Sequence, residues 1–117
     1  MKSKILLGLL ILFFASGAQA QAHSTTLTIT DPVASAARSY NVYRASGACP
    51  VTGLGSLVFT KLTLTPISVL TYTDSTITVG TWCYYVTAVE SSIESNPSVT
   101  AGGTAKPGVV TFSIVIQ

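Results

Sequence analysis

After residue 20 the chain consists of short segments in which apolar and polar residues alternate. Residues 25–30 alternate strictly and place Leu27 and Ile29 on one face, which is the pattern of a half-buried β-strand. Similar segments predict further strands at 40–45, 57–63, 70–74, 81–89 and 98–101. None of the chain after residue 20 has the 3.6-residue apolar period of an amphipathic helix. The pattern therefore predicts an all-β protein.

Turn-forming residues separate these segments. Residues 33–38 are rich in alanine but too short for a stable helix, so they predict a loop. Residues 46–56 contain three glycines and a proline and predict a long loop, and Gly102-Gly103 predicts a flexible break.

The C-terminal segment forms one more strand with a continuous apolar face. In residues 109–116 that face carries Val110, Phe112, Ile114 and Ile116. Such a strand would promote aggregation if its edge and apolar face were both exposed. The sequence leaves two arrangements open: this strand folds back on its own domain, or it crosses to a neighbouring molecule.

The first twenty residues have the features of a secretory signal peptide. A basic start is followed by the apolar residues 5–15 and by small side chains at Ala18 and Ala20. The alternative is an uncleaved membrane anchor. A cleaved signal peptide predicts a secreted, periplasmic or cell-surface protein that meets the membrane only before cleavage.

Removal of residues 1–20 also changes the charge of the chain. Residues 21–117 keep four cationic and four acidic side chains, so the formal net charge is 4 − 4 = 0. Four scattered cations form no basic stripe, and we therefore expect no nucleic-acid partner.

Two cysteines, Cys49 and Cys83, follow the signal peptide. In an exported protein an even pair predicts a disulfide. The alternative, a reactive thiol, requires a base or cation next to one of them, and the sequence places none there.

The sequence offers little for catalysis. The single histidine, His23, lies near the start of the exported chain, and the acidic residues are widely separated. A hydrolytic triad or a closed zinc site needs more groups than these. We therefore predict a non-catalytic protein without a metal or another cofactor.

Five segments together resemble the fibronectin type III family. They are YNVYR at 40–44, FTKL at 59–62, LTYTDSTI at 70–77, GTWCYYVTAV at 80–89 and ESNPS at 94–98. The resemblance implies an immunoglobulin-like β-sandwich of two antiparallel sheets over residues 21–104. The family's first strand has no counterpart here, which leaves an open edge beside strand 25–30. We predict that residues 105–117 complete or extend the sheet at that edge.

In this family the strands at 40–45 and 81–89 are neighbours, which places Tyr43 and Tyr85 together. Alternation turns both side chains, with Asn41, away from the core. They form a candidate binding surface, because exposed aromatic rings stack on sugars or anchor protein contacts. The alternative is that loop 46–56, tethered through Cys49, covers them.

Two functions follow from these features. The first is a module that binds or adheres to another exported protein or a carbohydrate, either through the loops 31–39 and 90–96 or through the Tyr43/Tyr85 surface. The second is a structural subunit, a homo-oligomer that assembles by strand exchange through Val110, Phe112, Ile114 and Ile116.

Overall fold

A computed structural model describes residues 23–105 and 108–116, and the predicted signal peptide lies outside them. All regular secondary structure in these ranges is β-strand. The strands are β1 (His23–Thr30), β2 (Arg38–Ser46), β3 (Thr60–Lys61), β4 (Thr71–Asp74), β5 (Gly80–Glu90), β6 (Ile93–Glu94), β7 (Ala101–Ala105) and β8 (Gly108–Val115). The prediction of an all-β chain is confirmed.

The strands form two sheets that pack in a sandwich-like arrangement. One sheet has the order β4-β1-β8, and the other has the order β3-β2-β5-β6 with β7 also paired to β5. The buried apolar side chains alternate along the strands, as the pattern predicted. They are Leu27, Ile29, Tyr40, Val42, Tyr84, Val86, Ala88, Ile114 and Ile116.

One pair of strands corrects the prediction of two antiparallel sheets, since β8 runs parallel to β1 over its whole length. The register explains the direction. β7 ends with Ala105 beside Gly80, at the start of β5. β1 begins at this same end, because Thr25 pairs with Asp74, whose carboxylate contacts Tyr84 of β5. The chain therefore leaves β7 at the end where β1 starts and returns as β8 in the direction of β1.

Two predicted segments are wrong in their bounds. Of residues 57–63 only Thr60–Lys61 pair as a strand, and residues 98–100 precede β7 instead of forming it. The predicted flexible break is also wrong, because Gly102 and Gly103 pair with Cys83 and Trp82 inside β7. Residues 33–37 form turns and irregular loop without a helix, as expected.

Two serine hydroxyls extend the hydrogen bonding of β5 where Pro97 interrupts the neighbouring chain. The hydroxyl of Ser98 accepts a hydrogen bond from the Val86 N–H at 2.9 Å, and the hydroxyl of Ser95 accepts one from the Ala88 N–H at 2.9 Å. Proline donates no backbone hydrogen bond. The serines therefore satisfy β5 donors that a regular strand would have paired.

Two clusters of the same composition link the sheets at opposite ends of β2. Each contains an aspartate, an arginine of β2 and a buried tyrosine whose hydroxyl donates to the carboxylate. In one, Asp31 accepts from Arg38 and Tyr40, each at 2.8 Å. In the other, Asp74 accepts from Arg44 and Tyr84, each at 2.8 Å.

Burial alone would raise the pKa of both aspartates. Hydrogen bonds outweigh this effect and hold both pKa values below the ordinary value. The donors are Arg38 and Tyr40 at Asp31, and Thr76, Tyr84 and Arg44 at Asp74. Both carboxylates are therefore ionised at neutral pH.

Candidate functional site

Tyr43 and Tyr85 are direct partners across β2 and β5. Their rings are stacked with centroids 4.5 Å apart and planes inclined by 6°. Both are half-buried on the outer face of the five-stranded sheet, opposite the side that carries Val42 and Tyr84. The structure thus brings the two sequence-predicted tyrosines together as one rigid pair.

Phe59 is the aromatic neighbour of this pair. Its ring meets Tyr85 edge-on, with centroids 4.8 Å apart and planes inclined by 69°. Phe59 lies in the segment between the long loop and β3. Residues 49–53 of the loop line a groove beside 97–102 and 111–113 instead. The alternative was that loop 46–56 covers the tyrosines. The aromatic ring that contacts Tyr85 from outside the pair belongs instead to Phe59, which lies beyond that loop.

The disulfide between Cys49 and Cys83 is present, with Cα atoms 5.0 Å apart. Cys83 lies on the outer side of β5 but is fully buried. A bridge that closes a loop of this length stabilises the fold by about 3–4 kcal/mol in the chain-entropy model. The bond is typical of an oxidising compartment.

Glu94 reaches the same face through a tight turn. Val89 pairs with Glu94 and Glu90 pairs with Ile93, so Ser91 and Ser92 form a two-residue hairpin turn. Their φ angles are 51° and 66°, as a type I′ turn requires. Because paired residues share a face, this register turns Glu94 toward the tyrosines.

One oxygen of Glu94 collects three hydrogen bonds. Oε1 accepts from the hydroxyls of Thr87 and Tyr43 and from the Asn41 amide at 3.4 Å. The bonds from Thr87 and Tyr43 hold the pKa of Glu94 below its ordinary value. Burial and the bond to Glu94 raise the pKa of Tyr43 to about 12. The site therefore presents an ionised carboxylate and a neutral phenol at neutral pH.

Asn41, the third sequence-predicted residue, is buried and serves as a brace. Its Oδ1 accepts from the Thr63 hydroxyl at 2.9 Å, and the same hydroxyl accepts from the Val42 N–H at 3.3 Å. Its side chain therefore links Thr63 and Glu94 beside the aromatic pair and, because it is buried, offers little surface to a ligand.

Among the described residues, few polar groups on this face are available to a ligand. Within the described residues the Tyr85 hydroxyl makes no hydrogen bond inside the protein, and Lys61, the β3 partner of Tyr43, is exposed. We call Tyr43, Phe59, Lys61, Tyr85 and Glu94 the aromatic face. It combines a rigid apolar ridge with one cation, one anion and one free phenol.

Phe59, Lys61 and Thr87 were not among the residues selected from sequence, and Glu94 was selected only as part of the loop 90–96. Lys61 and Phe59 lie at alternate positions of a segment that pairs with β2 only briefly. Glu94 is exposed, as most glutamates are, so its position alone did not distinguish it. The usable signal was the spacing of Val89 and Glu94, which fits a hairpin with a two-residue turn.

Other predicted groups lie elsewhere. The side chains of Val110, Phe112, Ile114 and Ile116 point toward the core from the C-terminal segment, which pairs with β1 of the same chain. In residues 23–105 and 108–116 no three His, Cys, Asp or Glu side chains are grouped so as to hold a metal ion.

No helix in the described part of the chain is long and apolar enough to cross a bilayer.

Comparisons of this chain with protein-family models, with curated proteins and with solved structures give no match.

Proposed function

We propose that the protein is an exported, non-catalytic, fibronectin type III-like module that binds another exported protein through the aromatic face. The observation that carries this proposal is the stacked pair Tyr43–Tyr85 with Glu94 beside it. Aromatic residues held rigidly on a surface contribute strongly to protein contacts, because little side-chain entropy is lost on binding.

The geometry favours a protein over a carbohydrate as the ligand. Sugar stacking needs an open ring face. In this pair each ring covers a face of the other, and Phe59 further contacts Tyr85. One face of each ring is therefore unavailable, and a ligand also meets the Tyr85 hydroxyl and the charges of Lys61 and Glu94. Such a mixed, ridged surface suits protein side chains better than a flat pyranose.

The fibronectin type III-like assignment and export have separate support. The two sheets, the neighbouring strands β2 and β5 and the short hairpin into β6 fit that fold. The signal-like residues 1–20 and the disulfide fit an exported protein.

The test is site-specific photocrosslinking in the producing cells. A benzoylphenylalanine residue replaces Tyr85 in one strain and Thr73, an exposed position of β4 in the other sheet, in a control strain. We expect a discrete crosslinked protein from position 85 alone. The absence of a crosslink at position 85, or the same products from both positions, contradicts the proposal.

A glycan array decides the ligand class. Binding that disappears in Tyr43→Ala/Tyr85→Ala, with the fold intact, would assign the aromatic face to a carbohydrate and overturn the protein assignment. No binding by the wild-type chain is the expected result.

A further inference from the structure

The outer edge of β8 is open. β8 pairs only with β1 in the described residues, and it is the last strand of its sheet. The Ile116 N–H donates to the Thr30 carbonyl at 2.8 Å, toward β1. Backbone groups of successive strand residues point to alternate sides. The N–H and C=O groups of Val109, Thr111, Ser113 and Val115 therefore point away from β1.

The other sheet edges of the molecule are protected. β3 and β6 have two residues each and carry Lys61 and Glu94, and β4 has four residues and ends in Asp74. β7 contains Gly102-Gly103, which disfavours further pairing. Short strands and charges are the usual means of blocking an edge. β8 has eight residues, without a charge, a proline or a bulge in its ladder.

The residues of β8 are also chemically symmetric about Phe112. Val109 and Val115, Val110 and Ile114, and Thr111 and Ser113 are pairs of like residues at equal distances from it. An antiparallel pair of strands related by a two-fold axis at Phe112 places residues at equal distances from Phe112 opposite one another. Apolar residues then meet apolar residues, hydroxyls meet hydroxyls, and Phe112 meets its own copy.

The direction of the free backbone groups fits this register. With Phe112 opposite Phe112, Thr111 of one chain lies opposite Ser113 of the other, and both turn their N–H and C=O groups outward. They therefore form a hydrogen-bonded pair, as Val109 and Val115 do, and the ladder gains up to about eight hydrogen bonds.

The surroundings of the edge leave room for a second strand. A groove of about 840 Å³ runs between residues 111–113, 97–102 and 49–53, and no charged side chain lines it. Val109 is 71% exposed and Val115 is 41% exposed. The formal charge of residues 21–117 is zero, so two copies do not repel each other through net charge.

We infer that the free edge of β8 binds β8 of a second copy, so that the two three-stranded sheets join into one continuous six-stranded sheet across a two-fold axis. This contact differs from strand exchange, because each β8 keeps its pairing with its own β1. It is independent of the aromatic face, which belongs to the other sheet.

A charge design tests the register. In Thr111→Lys/Ser113→Lys each introduced lysine faces a lysine of the partner, and in Thr111→Lys/Ser113→Glu each lysine faces a glutamate. We expect the oxidised wild-type exported chain to sediment as a dimer, the first variant to lose the dimer and the second to retain it. A monomeric wild type, a larger open assembly, or equal behaviour of the two variants would overturn the inference.

Amide hydrogen exchange of the wild type supplies a readout that depends on no variant. We expect the amides of Thr111 and Ser113 to gain protection as protein concentration rises. Concentration-independent exchange at both amides would refute the pairing even if neither variant folded.

Discussion

Gly102 lies so close to Trp82 that a Cβ atom at position 102 would stand 2.1 Å from the Trp82 carbonyl oxygen. The same Cβ would be 3.1 Å from Sγ of Cys49. β7 can therefore approach β5 and the disulfide this closely only with glycine at this position.

Gly102→Ala should accordingly destabilise the protein by about 2–4 kcal/mol, because β7 must move away from β5. The neighbouring Gly103→Ala is the matched control, since its Cβ would meet only Phe112 side-chain atoms, the nearest at 3.2 Å. Urea denaturation of both variants measures the difference. Equal midpoints for the two would contradict this explanation.

Asp74→Ala should cost about 3–5 kcal/mol, because it leaves the buried Tyr84 hydroxyl and the Arg44 guanidinium without their shared acceptor. Ser75→Ala, one residue along and exposed, is the control and should change the free energy of unfolding by less than about 0.5 kcal/mol. Thermal unfolding of both variants checks this, and a mild effect of Asp74→Ala would remove the cluster as a stabilising link.

Stability should fall at both ends of the pH range. The pKa values of Asp31 and Asp74 are lowered in the folded chain, so their contribution is complete above about pH 4–5 and is lost as the pH falls through the lowered values. Burial and the bond to Asp31 raise the pKa of Tyr40 to about 12. Its contribution is complete below about pH 10 and is lost as the pH rises toward 12.

Denaturation midpoints measured across pH check both slopes. Tyr40→Phe should reduce the alkaline slope, to which Tyr43 also contributes because its pKa is likewise raised to about 12, and should leave most of the acid slope. An unchanged alkaline slope in that variant would show that Tyr40 is not the group responsible.

Ile114→Ala should destabilise the fold by about 2–5 kcal/mol, since Ile114 is fully buried against the core. Ile93→Ala, at an exposed position of β6, should have little effect.

A chain that ends at Ala105 should be insoluble, because it uncovers the edge of β1. Normal solubility and unchanged stability of that chain would mean that β8 contributes nothing to the sheet.

Periodicity was sufficient to predict most of the core. Leu27, Val42, Tyr84 and Val86 are buried because strand alternation leaves each of them one possible face once the core side is chosen. The same rule placed Tyr43 and Tyr85 on the outer face. Their stacking then requires only that β2 and β5 pair in the observed register, in which Tyr43 lies opposite Tyr85.

Features that depend on where the chain reverses were not predictable. The parallel direction of β8 follows from the end at which β7 stops, which no local pattern encodes. The role of Glu94 depends on a two-residue turn at Ser91-Ser92, and serine is not the usual residue for that conformation. Gly102 was interpreted as flexible because a close approach of β5 cannot be read from a glycine pair.

The parallel ladder of β1 and β8 also determines how the domain carries tension. His23 and Ile116 lie at opposite ends of the ladder, roughly 25 Å apart along the strands. Force applied through these two residues pulls the strands lengthwise past each other, so that many hydrogen bonds must break together. Force applied through His23 and Gly108, which are neighbours at one end, breaks them one after another. Single-molecule pulling should therefore record a much higher unfolding force for the first geometry.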